Sequence, residues 1–139
     1  MTHTKHPDLD KFPAPLMRAI GFDALVRTST EAGMARVRYA PRPEFAHSRG
    51  TVVQGGIVTA WLDNAIAYAI DARDPSVNIA SLELKVSFLE RVEVAPCEAE
   101  ARVLRWGRSV VFVEADLYAD DGRLLARASS TGKLIRKPG

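Results

Sequence analysis

From Ile57 to Ile70 the chain runs through apolar side chains almost without a break, with Asp63 and Asn64 the strongly polar exceptions and Thr59 a milder one. No Lys or Arg falls within it. Such a stretch predicts a helix enclosed by protein on all sides, and it is shorter than the roughly 17 to 25 apolar residues that span a bilayer. Elsewhere the period changes to two. Leu82, Leu84, Val86 and Phe88 alternate with Glu83, Lys85 and Ser87, and Ala35, Val37 and Tyr39 alternate with Arg36 and Arg38, which predicts strands with one apolar and one wetter face. Further strands are predicted over 22–30, 98–106, 109–118 and 123–134. Glu31-Ala32-Gly33, Gly107-Arg108 and Asp120-Asp121-Gly122 mark the turns between them. Pro15 to Ile20 reads as a short helix stopped by Gly21. Pro41 to Val53 is a long loop that carries Glu44, His47, Ser48 and Arg49 into the glycine pair Gly55-Gly56. Residues 1–12 read as a flexible polar leader.

Two strands, one apolar helix and four long strands add up to an α+β domain over 1–139, a curved antiparallel sheet of about six strands wrapped around one long central helix. Any helix face that the sheet leaves bare must be buried by another subunit. The 139 residues are enough for one core. A formal net charge of +2 supplies no electrostatic drive toward nucleic acid. Cys97, the sole cysteine, rules out an intrachain disulfide and is compatible with a reducing cytoplasm. The first residues lack the apolar core of a signal peptide, so the reading is a soluble cytoplasmic protein with no membrane partner. His3 and His6 have no nearby carboxylate or cysteine that would make them metal ligands.

Two features carry chemistry. Glycines that open a helix let a ligand approach free backbone N–H groups at the positive end of the helix dipole, which is the physics of an oxyanion hole. An acid in the middle of a buried helix, Asp63, pays a desolvation cost unless it is partnered or used; a structural hydrogen bond to Asn64 or a neighbouring strand is the alternative use. Gly55 and Asp63 lie eight residues apart, about 12 Å along a helix at 1.5 Å per residue. They cannot act on one carbonyl from one helix, whereas two helices antiparallel across a two-fold axis can bring the acid of one to the glycine of the other. Thr59, Ala60, Ile66 and Ala67 flank Asp63 on the helix, and the two alanines leave room for an acyl chain.

With these residues the chain resembles the PaaI (phenylacetate-pathway) type of hotdog-fold acyl-CoA thioesterase. The motif of that family is His-Gly-Gly followed by an acid seven residues after the second glycine; here Gly55-Gly56 and Asp63 match it, and Asp63-Asn64 matches a frequent pair. The resemblance continues in Ser81-Leu-Glu-Leu-Lys-Val-Ser-Phe-Leu, in Trp106-Gly-Arg-Ser-Val-Val-Phe and in Asp121-Gly-Arg-Leu-Leu-Ala, and it covers roughly 20–134. It implies hydrolysis of a medium-chain or aryl acyl-CoA to free acid and CoA without metal or cofactor, by a homodimer or a dimer of dimers. In that reading Asp63 is the general base or nucleophile, the Gly55 amide polarises the thioester carbonyl, and Ser81 positions water or the acid. The family histidine is replaced by Gln54, which keeps a donor but does not titrate near neutrality. The Asn or Gln of the preceding loop, fifteen residues before the acid, falls at Ser48, with His47 beside it. Gly56, Ser48, His47 and Asn64 are thereby implied at the substrate.

Two alternatives stay open. One is a non-catalytic acyl-CoA-binding protein, the other a hydratase or dehydratase on the same fold, whose members resemble one another in using a histidine that this helix lacks. Trp61 and Tyr68 read as core or dimer contacts, and Arg102, Arg105, Arg108, Arg136 and Lys137 read mostly as a solvated face.

Overall fold

The computed structural model describes residues 10–136. The short helix α1 (Ala14–Ala19) precedes the hairpin β1 (Phe22–Ser29) and β2 (Met34–Tyr39). A 3-10 turn, Pro43–Phe45, and a small hairpin of β3 (Ala46–His47) and β4 (Val52–Val53) lead into the long helix α2 (Gly55–Arg73). Four strands follow, β5 (Val77–Phe88), β6 (Cys97–Trp106), β7 (Val110–Ala119) and β8 (Leu124–Arg136). β1, β2 and β5–β8 form one antiparallel sheet in the order β1-β2-β6-β7-β8-β5. This is the expected arrangement of about six strands and one long helix. The loop over 41–53 has more order than its prolines and glycine suggested, because the β3–β4 pair and the 3-10 turn lie within it.

The helix ends are set by local chemistry. Gln54 caps the start with its side chain, and Thr59 Oγ1 donates back to the Gly55 carbonyl at 2.8 Å, securing the first turn. At the other end Arg73 complements the helix dipole and Asp74-Pro75 ends the run. Val58, Trp61, Leu62, Ala65, Ile66, Ala69 and Ile70 form the buried face, packed on Ala35, Val37 and Tyr39 of β2 and on the inward residues of β6 and β7. Trp61 stacks on Tyr39 with ring centroids 5.3 Å apart, and Tyr68 stacks on Phe22 and Phe12. Both helix aromatics are therefore core residues. The expectation of a helix enclosed on all sides is corrected for the single chain: Gly56 is exposed and Ala60, Asp63 and Ala67, which follow it at helical spacing, are half-buried. One chain has a single sheet to offer, and it covers one side of the helix.

A second correction concerns β5. Ser81 pairs with Gly132 and Glu83 with Thr131, so Leu82 has no partner in the ladder and forms a bulge. The phase of the strand reverses there. Ser81 before the bulge and Leu84, Val86 and Phe88 after it all face α2, while Leu82 is 61% exposed. Uninterrupted alternation would have put Ser81 on the outer face with Glu83, Lys85 and Ser87.

The leader also differs from its reading at its inner end. Lys11 Nζ reaches Asp71 and the carbonyls of Pro75 and Val77, and the Phe12 ring lies 3.7 Å from Tyr68, so this segment is strapped over the end of α2. His3 and His6 lie outside the described residues.

The two sheet edges are unequal. β1 is interrupted twice along its pairing with β2, between Phe22 and Ala24 and between Leu25 and Arg27, whereas β5 offers twelve residues with a single bulge. On the outer face the ladders carry alternating charges. Arg36 and Arg38 bind Glu98, and Asp116, buried to 2% exposure, lies between Arg102 and Arg127.

Candidate active site

Asp63 sits on the half-covered stripe of α2 and accepts a hydrogen bond from Ser81 Oγ at 2.9 Å. The two residues are eighteen apart in the chain, and the Leu82 bulge brings them together. A hydroxyl that donates to one carboxylate oxygen holds the carboxylate in place and leaves its other oxygen outward. No arginine or lysine pairs with Asp63 among the described residues, so its charge is not neutralised by an ion pair. Of the two structural bonds considered for Asp63, the one to Asn64 does not form and the one to a neighbouring strand does, through Ser81 of β5.

The glycine pair is about two helical turns away from Ser81's partner, at the start of α2. Gln54 N–H donates to the Phe45 carbonyl at 2.8 Å and its own carbonyl receives Ile57 and Val58, which fixes its backbone. Its side-chain Oε1 accepts the Gly56 N–H at 2.5 Å. The Gly55 N–H has no acceptor among the described residues, so of the two glycine amides only this one is available to a ligand. Gly56, implied at the substrate, offers no free N–H. A Cβ on Gly56 would lie 2.7 Å from Gln54 Oε1, against the cap itself, whereas one on Gly55 would lie 3.3 Å from Phe88 Cζ, a tight contact to which an exposed ring can yield.

The remaining residues separate. Asn64 turns away from Asp63; its Oδ1 lies 2.6 Å from the Tyr39 hydroxyl, which is also 3.0 Å from the Trp61 carbonyl, and its Nδ2 faces Met17 Sδ. The contacts of Asn64 are thus with the core and not with Asp63, because one step along a helix rotates a side chain by about 100°. Burial keeps the Tyr39 phenol well above its usual range and therefore neutral. His47 and Ser48 lie in the β3–β4 hairpin, with Nδ1 and Oγ 2.9 Å apart and both residues exposed. Neither hydrogen-bonds to Asp63 or Gln54. Ser48 and Arg49 hold positive φ values of 53° and 61°, the left-handed conformation of a tight turn, and both are exposed.

Burial pushes the Cys97 thiol up to about 12, which removes it as a nucleophile. Phe88 was not singled out in the sequence, since it shares the spacing of Leu84 and Val86 and reads as core; its ring is instead 55% exposed and leans on Gly55. Among the described residues no three His, Cys, Asp or Glu side chains are grouped as a metal site would need, and no helix is long and apolar enough to cross a membrane.

Comparisons with known proteins bear on this arrangement. Residues 50–126 match the family model described as Thioesterase superfamily. A Saccharolobus solfataricus protein named "Putative esterase" is 33% identical over 106 residues, covering 76% of this chain and 75% of that one. A phenylacetic acid degradation-related protein from Ralstonia eutropha JMP134 superposes with a TM-score of 0.79 at 29% identity, covering 87% of this chain and 90% of that one. The E. coli PaaI protein from the phenylacetic acid degradation operon shares the fold, with a TM-score of 0.78 at 17% identity over 90% of this chain and 86% of that one.

Proposed function

The chain belongs to the thioesterase superfamily and is a thioester hydrolase, and we propose that its substrate is a medium-chain or aryl acyl-CoA, cleaved at a site shared between two copies of the chain. Asp63 acts as general base toward water, or as nucleophile, with Ser81 holding its carboxylate. The Gly55 N–H receives the thioester carbonyl oxygen as it gains negative charge. In the general-base route water adds to the carbonyl carbon as its proton passes to Asp63. The tetrahedral intermediate then expels the CoA thiolate, which takes up a proton, leaving the free acid.

The observation that carries this reading is the Ser81–Asp63 bond and, about two helical turns away on the same edge of the molecule, a free Gly55 N–H. Along β5, Ser81 touches Asp63 and Phe88 touches Gly55. Two β5 edges paired antiparallel about a two-fold axis midway between Ser81 and Phe88 would set the Ser81 of one opposite the partner's Phe88. The same operation brings Asp63 toward the partner's Gly55, which removes the roughly 12 Å separation that the rise of a single helix imposes. His47 and Ser48, exposed on the β3–β4 hairpin, are assigned to the CoA moiety.

The test is a pair of variants and their mixture. Asp63→Asn should keep its fold and lose at least about 10² in turnover. Gly55→Pro should also fold, since proline suits the first helical position, yet it lacks the N–H. Each alone should be nearly inactive on acyl-CoAs assayed by thiol release. Refolded together, half the dimers are mixed and each mixed dimer holds one intact site, so about one quarter of the activity returns. No recovery would defeat the shared site, an unchanged Asp63→Asn rate would defeat the assignment of Asp63, and silence of the unsubstituted protein on every acyl-CoA would favour a non-catalytic binding role.

A further inference from the structure

We infer that Ser130 of β8 is a positioning residue for the acid: its hydroxyl pins the β5 bulge at Leu82, and so keeps Ser81 rather than Leu82 turned toward Asp63. The inference rests on the acyl-transfer reading above. It adds a residue that makes no hydrogen bond to Asp63 or Gly55 among the described residues.

The bulge has two places open to it. Gly132 pairs with Ser81 and Thr131 with Glu83, and a bulge of this kind sets two residues, Ser81 and Leu82, against the one residue Gly132. Only one of the two can hold the ladder position. If Leu82 held it, the pairing from Glu83 onward would be unchanged and Ile79 would stay opposite Leu134. Leu82 would then face α2 in line with Leu84, Val86 and Phe88, and Ser81 would turn away from Asp63.

Burial favours that exchange. It would cover part of an apolar side chain that is 61% exposed and return a hydroxyl to water. A shift in the other direction has no such gain, because it would carry the Glu83 carboxylate to the helix side. The observed place of the bulge is thus the less apolar of two neighbouring arrangements, and a specific contact has to hold it.

Ser130 supplies that contact. With Asp116 it is one of the two buried polar or charged residues among those described, at 4% exposure. Its backbone stands opposite Leu84, yet its Oγ donates to the carbonyl of Glu83 at 2.7 Å. A buried hydroxyl needs such a partner, and here the partner is the first residue after the bulge. The turn that would bring Leu82 inward pivots on the Glu83 backbone, and the bond to β8 resists it.

A pin and an ordinary buried hydrogen bond respond differently to substitution. Ser130→Ala needs no extra space and should fold, with a melting temperature lowered by a few degrees. Its kcat should fall by up to about tenfold with KM little changed. Adding Ser81→Ala should cost nothing beyond Ser81→Ala alone, because Ser130 acts through Ser81. Deleting Leu82 from Ser130→Ala removes the residue that competes for the place of Ser81, and kcat should return to that of the deletion alone.

The experiment is steady-state kinetics on one acyl-CoA and a thermal melt for these variants, together with a crystal structure of Ser130→Ala. The structure should show Leu82 turned toward α2 and Ser81 released from Asp63. Ser81 still bonded to Asp63 there, or full kcat in Ser130→Ala, would overturn the pin and leave Ser130 an ordinary buried bond. Losses from Ser81→Ala and Ser130→Ala that multiply would overturn it as well. Each of these results can occur while Asp63→Asn remains inactive, and the structure is read without turnover, so failure here is distinguishable from failure of the general-base reading.

Discussion

The Ser81 hydroxyl reaches Asp63 across 2.9 Å only because Leu82, the next residue along, steps out of the β5–β8 ladder. The chemistry of the acid is thus tied to a register irregularity in a strand that contributes no charge to the site. Ser81→Ala removes the donor and leaves the bulge and the strand pairing intact. Its melting temperature should stay within a few degrees, and kcat should fall by about tenfold as the carboxylate loses its anchor. Steady-state kinetics beside a thermal melt would check both, and a kcat equal to that of the unsubstituted enzyme would show that Asp63 holds its orientation unaided.

Deleting Leu82 removes the one extra residue that the bulge absorbs. Ser81 and Leu84 then stand two apart, and regular alternation keeps Ser81, Leu84, Val86 and Phe88 all facing α2. The variant should therefore fold and keep kcat within a few-fold of the unsubstituted enzyme. Steady-state kinetics beside denaturant unfolding checks this. A loss of activity at unchanged stability would show that the local twist of the bulge, and not the phase of the strand alone, aims Ser81 at Asp63.

Tyr39→Phe separates structure from substrate on the other side of the helix. The phenol is buried with Asn64 Oδ1 and the Trp61 carbonyl around it, and removing it leaves a buried acceptor unsatisfied, at about 1–3 kcal/mol. KM for acyl-CoA should not move. A raised KM with little change in stability would return Asn64 to the substrate.

Acid stability should follow the outer face. Hydrogen bonds from Arg36 and Arg38 hold the Glu98 carboxyl below its usual range. Burial pushes Asp116 upward, but its bonds to Arg127 and Arg102 outweigh this and hold it below the ordinary value as well. A depressed folded-state pKa gives stability that is fully present above the unfolded value, about 4 for carboxylates. It is lost as pH falls through the folded value. The melting temperature should therefore be level from pH 7 to about 5 and drop below about 4, and Asp116→Asn should show a shallower acid limb. An identical limb would place the loss at other carboxylates.

The central helix was legible because an apolar run of that length without Lys or Arg has few placements in a small domain, and its glycine pair and acid stood out as exceptions to the pattern around them. The pairing of Ser81 with Asp63 followed from the resemblance, but its cause did not: Leu82 reads as one more apolar residue in an alternating series, and a slipped ladder leaves the letters unchanged. Asn64 reads like its neighbour Asp63, yet the helix turns it to the opposite surroundings. Lys11 and Phe12 were read with a polar leader since their partners, Asp71, Val77 and Tyr68, lie more than fifty residues on. Such contacts leave no local periodicity.

The unequal edges of the sheet have a consequence for how copies of this chain can add to one another. A sheet with two open edges can recruit neighbours without limit, and the product is a fibre. Here β1 is twisted out of regular pairing at two points, so growth is open on one flank only. When two copies meet through β5 about a two-fold axis, each consumes the other's only regular edge, and the combined sheet presents β1 at both ends. Assembly by strand addition then stops at two, and anything larger has to be built through the faces of the molecule.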